Sequence, residues 1–353
     1  MTDVRNEELF VSLTEAEADK ILDEALEQLV SGDEEMCREL LSSLVCYREY
    51  NISRSLPKLI EHGMYYPGIL FKDAGPEVRD RLLQQLEWDV ENFDFLLPAL
   101  SWIGDTVVVT RFQEWRKNPP SWAEELPVPP EQYTYAAGWE LGQDGTRVDL
   151  IRSPAYAILR RKEPSAAVLD SGEPGKFLLP DRENCPWCGG KLTTLMDVDA
   201  HHPSLSGWSL RQERLHFKTC MRCGCYSTIF MKSDDRGVAS WSEYNEKPGY
   251  MPEIDLGDYG EEYLNFGPLL ELEAKPRLIF HTAVWGLTQT NSQIGGHPSW
   301  IQDAEYPACP CCGESMHFIA QLDWSELEEY GEGILYMFLC EKDKLTATLF
   351  QQS

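Results

Sequence analysis

Residues 185–199 read CPWCGGKLTTLMDVD, and residues 309–323 read CPCCGESMHFIAQLD. Each stretch opens on Cys-x-x-Cys-Gly and runs on into aliphatic, aromatic and β-branched residues that suit a strand. A Cys-x-x-Cys turn aims two thiolates at one tetrahedral ion, and glycine after the second cysteine frees the backbone where amides turn toward sulfur. The likeness resumes after a loop. LHFKTC, ending at Cys220, lies over LYMFLC, ending at Cys340, with 31 residues between the inner cysteines in one segment and 27 in the other. Knuckle, strand and distant cysteine agree in the same order, which predicts an internally duplicated β-rich zinc-knuckle module.

In the first segment Cys220 and Cys223 complete a four-thiolate set with Cys185 and Cys188. Cys225 is an alternative to Cys223, because CMRCGC offers both spacings. Zinc suits a thiolate site that does no redox work. The second segment supplies Cys309, Cys312 and Cys340, and the position matching Cys223 is Asp343. The fourth ligand there is Asp343, Cys311, His297 or His317, unless this segment has lost its metal. One zinc ion is therefore expected, with a second where the three-cysteine set is closed. A fourth position left open to water would make a catalytic zinc, with Asp323 or Glu314 as the carboxylate base. No His-Glu metal motif accompanies it. DVDAHHP, with Asp197, Asp199, His201 and His202, reads as a polar turn after a strand rather than a further metal cluster.

On these residues the second segment resembles the superfamily that contains the programmed-cell-death-2 proteins, yeast ribosome-assembly relatives and bacterial YwqG-like (TYPP) proteins. The likeness is strongest over residues 292–340: SQIGGHPSWIQ, the cysteine knuckle, and the aromatic strand ending at Cys340. Gly295, Gly296, Pro298, Trp300, Cys309, Cys312, Gln321 and Cys340 carry it. It extends less well to the first segment, which lacks the GGxPxW stretch, and not at all to the N-terminal third. The resemblance implies a duplicated β-rich fold that holds other proteins, because eukaryotic relatives are chaperones for a basic ribosomal protein and bacterial ones are often immunity proteins.

The N-terminal third is helical by pattern. Thr14 and Glu17 form a capping box, Ile21, Leu22, Ala25, Leu26, Leu29 and Val30 recur at helical spacing, and Gly32 ends the run. Asp33 caps a second helix with a stripe of Met36, Leu40, Leu41, Leu44 and Val45. Leu56, Leu59 and Ile60 mark a third, and Pro76 opens another. Phe93–Trp102 and Val107–Trp115 continue the alternation of helix and turn. Serial hairpins of this kind predict a HEAT-like α-helical domain over residues 1–125, closed by the proline-dense KNPPSWAEELPVPPEQY. The expected fold class is a multidomain α+β protein. A first β-rich copy covers 126–250, an acidic connector 251–275, and a second copy 276–353, with RLIFHTAVWGL among its strands. Trp102, Trp115, Trp122 and Trp139 are expected in packing before partner contact.

The 353 residues carry 59 Asp and Glu against 31 Lys and Arg, a formal charge of −28. Phosphate binding needs positive charge, which excludes nucleic acid as a partner. No window approaches the run of about 18 apolar residues that a membrane helix needs. The acidic start lacks the features of a secretory signal, so a cytoplasmic protein is expected, and its reduced thiols favour metal over disulfides. An acidic surface steers basic proteins. The expected function is non-catalytic clasping of a basic partner, first as an immunity protein against a cognate toxin. A chaperone for a basic client such as a ribosomal protein is the alternative. A zinc-dependent hydrolase at the three-cysteine copy is the alternative from another class.

Overall fold

A computed structural model describes residues 6–161, 175–254, 269–288, 290–328 and 330–352. The chain is an α+β mix that divides into two compact units. The first holds Met1–Leu150 with Phe280–Thr288 and Asp303–Glu305, and the second holds Ile151–Ile279, Gln289–Gln302 and Tyr306–Ser353.

Helices build the first unit: α1 Asn6–Val11, α2 Glu15–Ser31, α3 Glu34–Arg48, α4 Leu56–Glu61, α5 Pro76–Gln85, α6 Phe93–Ile103 and α7 Thr106–Lys117. Local chemistry sets their ends. The Thr14 hydroxyl accepts from Glu17 N–H while the Glu17 carboxylate accepts from Thr14 N–H at 2.9 Å, so α2 starts on a complete capping box. Gly32 ends it with a left-handed φ of 93°, and the Asp33 carboxylate then caps α3 through Met36 N–H at 3.1 Å. Leu22, Ala25 and Leu29 of α2 and Leu41, Leu44 and Val45 of α3 are all buried, which closes a helical hairpin. Cys37 and Cys46 are core thiols, and burial pushes Cys46 up to about 12.

Two expectations for this unit need correction. The proline-dense stretch ends the regular helices, yet the unit continues to Leu150 rather than to residue 125. After short 3-10 turns the chain forms the hairpin β1 Trp139–Leu141 and β2 Arg147–Asp149. Trp139 is fully buried, donates its indole N–H to Ser101 O at 2.8 Å, and lies under the Arg147 guanidinium. That anchor carries the hairpin into the helical core. RLIFHTAVWGL, expected as a strand, is instead a run of turns. Phe280, Ala283, Val284 and Leu287 pack against the helical core at helical spacing, with N–H to carbonyl bonds from Ala283 to Phe280 and from Leu287 to Val284.

The second unit is built from antiparallel strands. These are β3 Tyr156–Arg160, β4 Gly175–Asn184, β5 Lys191–Asp199, β6 Arg214–Thr219, β7 Ile229–Ser233 and β8 Ala239–Trp241, then β9 Leu270–Leu272, β10 Gln293–Ile294, β11 His317–Asp323, β12 Ile334–Cys340 and β13 Leu345–Gln351. One sheet of eight has the order β8-β7-β13-β12-β11-β10-β3-β9, and one of three has the order β4-β5-β6. Phe177, Met196 and Phe217 from the small sheet share a buried core with Ile294, Ile319 and Met337 from the large one. The two cysteine segments, expected as separate domains, thus lie in one unit, because β7 of the first pairs with β13 of the second. Most of the expected connector lies outside the described residues. Its end is β9, which pairs with β3.

Candidate metal centres

The two cysteine segments fold in the same register. In β5 and β6, Thr193 faces Thr219, Thr194 faces Lys218, and after a bulge Met196 faces Phe217. In β11 and β12, His317 faces Leu339, Phe318 faces Phe338, and after a bulge Ala320 faces Met337. Counted from the first cysteine of each knuckle and back from the distant cysteine, these are the same positions, and the bulge falls at the same place. The preceding strands agree as well. Phe177 of β4 faces Met196, and Ile294 of β10 faces Ala320. The next residue adopts a left-handed backbone in both, Leu178 at φ 44° and Gly295 at φ 71°. That correspondence is absent from the residue letters, since leucine stands where the other segment has glycine.

Each knuckle closes in the same way. Gly189 N–H bonds Cys185 O and Gly313 N–H bonds Cys309 O, both at 2.8 Å, with left-handed φ of 77° and 74°. The strand hairpin then returns the distant cysteine to the knuckle. Cys185, Cys188, Cys220 and Cys223 form one group, and Cys309, Cys312, Cys340 and Asp343 another, with the ligand atoms of each within 4.8 Å of one another. In the first group the Cys185–Cys223 and Cys188–Cys220 sulfurs are 3.7 and 3.6 Å apart. Thiolates at about 2.3 Å from a tetrahedral zinc would be about 3.8 Å apart, so the spacing fits. In the second, Cys312 and Cys340 sulfurs are 3.8 Å apart, and the Asp343 carboxylate lies 3.3 Å from Cys309 and 3.4 Å from Cys340.

The electrostatics of the first group explain why a cation suits it. Thiol donors from Cys220 and then Cys223 favour a thiolate at Cys185, whereas donating to Cys185, more than its charge, pushes Cys220 up to about 12 and Cys223 upward as well. Four sulfurs this close cannot all ionise without positive charge between them. In the second group burial pushes Cys309 up to about 11, while thiol donors, Cys312 first, hold the Asp343 carboxyl below its ordinary value.

The remaining ligand candidates stand apart. Cys225 is exposed and donates its thiol to Arg222 O at 3.2 Å, and Cys311 is exposed. Neither belongs to a metal-sized group among the described residues. His297 is buried with Nδ1 2.8 Å from Pro298 O, and His317 packs on Trp208. Asp343 is thus the fourth member of the second group, and the two carboxylates considered as a base differ in place. Asp323 is buried at the end of β11, where its two oxygens accept from Asn291 Nδ2 at 2.8 Å and from Ser325 N–H at 2.9 Å. Glu314 is exposed, 3.9 Å from the Cys312 sulfur. In DVDAHHP, Asp197–Asp199 end β5, where Asp197 pairs with Arg214, and only the residues after them turn, with His202 Nδ1 2.8 Å from Ser204 Oγ.

The glycine pair has a steric origin. A Cβ on Gly295 would lie 2.1 Å from Pro154 O, and one on Gly296 2.9 Å from Ile279 O. Beyond them the buried Gln321 receives Ser299 N–H at 2.9 Å and donates to Asn291 O at 2.8 Å, and Gln293 donates to His297 O at 2.8 Å. Trp300 then lies 4.7 Å from Tyr336, tilted by 31°, and nearly parallel to Phe338. These side chains hold GGHPSW against the aromatic face of β12.

The fold and these sites define an α+β protein with two cysteine-based candidate metal centres. Over 357 aligned residues the chain is 36% identical to a Salmonella typhimurium (strain LT2) protein, "Uncharacterized protein YpfL", covering 99% of this chain and 80% of that protein. The chain belongs to the YpfL family. Residues 292–353 match a family model described as a domain of unknown function, DUF1963, and this span contains the stretch that carries the YwqG-like resemblance. No solved structure matches the chain. No helix among the described residues is long and apolar enough to cross a membrane.

Proposed function

We propose that this chain is a non-catalytic binding protein for a basic protein partner, built on a zinc-pinned, internally duplicated β unit. One observation supports the partner's charge above all: residues 1–150 carry 30 Asp and Glu against 13 Lys and Arg. Such a surface accelerates encounter with a cationic protein and repels nucleic acid and anionic lipid. Within this class an immunity role, neutralising a cognate basic toxin, comes first, and a chaperone for a basic client such as a ribosomal protein comes second. The DUF1963 match, over the stretch with the glycine pair and knuckle, supports placing the second segment in the YwqG-like superfamily.

Zinc is the ion we assign to both groups, because thiolate-rich tetrahedral sets without a redox role select it. Common register, a common bulge and the matched left-handed residues Leu178 and Gly295 support descent of the two segments from one ancestor. The α2–α3 hairpin is the element that favours a HEAT-like repeat reading of the helical unit.

The test is recovery of the partner from the native cell, followed by titration of salt against the purified pair. A basic protein should be recovered, and its affinity should fall at least tenfold from about 0.05 M to about 0.5 M salt as exposed charges are screened. Binding indifferent to salt, or a neutral or acidic partner, would overturn the reading.

A further inference from the structure

The helical unit has a cleft of ≈ 450 Å³ between α5, α7 and the Pro120–Trp122 segment. Two indoles form its apolar part. Trp115 and Trp122 meet edge to face, with centroids 5.2 Å apart and planes at 82°. Phe112 backs the first at 5.1 Å and Phe93 backs the second at 5.0 Å. Both rings are therefore held in place before any ligand arrives, which lowers the entropy cost of binding.

The charged groups at the mouth differ in their commitments. Asp80 is engaged by Arg79 at 2.7 Å, and Arg111 is met by Glu114 at 3.4 Å. No cation among the described residues pairs with Glu87, which is exposed and lines the cleft. The chain continues from it as Glu87-Trp88-Asp89-Val90-Glu91, alternating acidic and apolar side chains. Trp88 is 66% exposed and Val90 47%. Large apolar groups left in water beside a cleft mark an interaction surface. The cleft thus joins paired aromatic rings to a carboxylate with no paired cation among the described residues, and the chain leaving Glu87 carries exposed apolar side chains.

We propose that this cleft and Trp88, next along the chain from Glu87, dock a basic, partly apolar peptide segment of a protein partner. An arginine or lysine side chain enters beside Trp115 and Trp122, where ring faces and Glu87 both attract its charge, and a neighbouring apolar side chain covers Trp88. The proposal rests on the basic-partner reading above and adds where the partner is held. The excess of acid in residues 1–150 selects this occupant, since a second copy of the chain would bring like charge.

The test uses the full chain labelled with 5-fluorotryptophan, with the Trp88, Trp115 and Trp122 resonances assigned by single Trp→Phe substitutions. The probe is a short synthetic peptide of alternating arginine and leucine, and one of alternating glutamate and leucine is the control. The basic peptide should shift those three resonances saturably and leave that of buried Trp139 in place. Glu87→Lys, at an exposed position, should weaken this binding at least tenfold without lowering the melting temperature. Shifts confined to other tryptophans, or affinity within twofold of wild type in Glu87→Lys, would overturn the assignment. The recovered native partner separates the two readings. Equal binding to wild type and to a Glu87→Lys/Trp88→Ala variant would remove the cleft and leave the basic partner standing. Peptide binding in the cleft with only a neutral or acidic partner recovered would do the reverse.

Discussion

The two cysteine segments of the second unit share a backbone plan and cover it with different chemistry. At matched positions the first has Thr194, His216 and Lys218, and the second has Phe318, Tyr336 and Phe338. Over the aromatic set lies GGHPSW with Trp300, and Tyr336 donates its hydroxyl to Ser299 O at 2.6 Å. Over the polar set β4 breaks its pairing between Pro180 and Asn184, and Asp181 reaches Lys218 at 3.0 Å and Thr194 at 3.3 Å. Burial pushes the His216 imidazole below its ordinary value, and its Nε2 lies 3.0 Å from Thr194 Oγ1. One face is closed by stacked rings and the other by an ion pair. Knuckle, bulge and left-handed residue set the backbone, which leaves the covering free to change.

The metal ligands should show the largest effect of breaking that shared plan. Cys185→Ser with Cys188→Ser removes half of the four-thiolate group. Because structural zinc contributes folding free energy directly, on the order of 10 kcal/mol in small domains, the second unit should lose its cooperative thermal transition. Unchanged calorimetry would mean that the group is not structural.

Next in size is a substitution in the glycine pair. Gly295→Ala places a Cβ against Pro154 O in a left-handed backbone, and urea unfolding should show a loss of about 3 kcal/mol. The matched position tolerates leucine because the side chain of Leu178 is fully buried in the shared core.

The ion-pair covering should be nearly as sensitive. Lys218→Met leaves Asp181 and Glu183 without their cation, at a cost of about 3 kcal/mol, since the Lys218 side chain is only 4% exposed. Adding Asp181→Asn should recover part of that loss. An equal effect in the single and double variants would show that the ion pair itself contributes nothing.

A further effect depends on pH. Burial, and then the charge of Asp323, push Glu326 up to about 7 from an ordinary value of 4.5. A carboxyl raised on folding binds its proton more tightly in the folded chain, so its contribution to stability falls as pH rises through the window from about 4.5 to about 7. Glu326→Gln removes this contribution. The difference in melting temperature between wild type and variant should change across that window and be flat below it.

Much of this architecture could be read from residue letters, and what escaped has a common physical cause. Caps such as Thr14, Asp33 and Gly32 act within four residues, so their letters suffice. The cysteine sets were legible because their spacing is itself the chemistry. Partition of the strands into sheets of three and eight was not, since the β7 to β13 pairing joins residues more than a hundred positions apart. Phe280 to Leu287 reads as a strand by composition, although its i, i+3, i+4, i+7 spacing carried the sign of turns packed on helices. Leu178 gave no signal at all. The choice of Asp343 over Cys311 depended on which side chain the knuckle turns outward.

Metal content with zinc-edge X-ray absorption of the purified full chain tests the central claim most directly. The account predicts two zinc ions per chain, with seven sulfurs and one oxygen over the two sites and a zinc–sulfur distance of about 2.3 Å. Less than one equivalent of zinc, or a shell made mainly of oxygen and nitrogen, would contradict it.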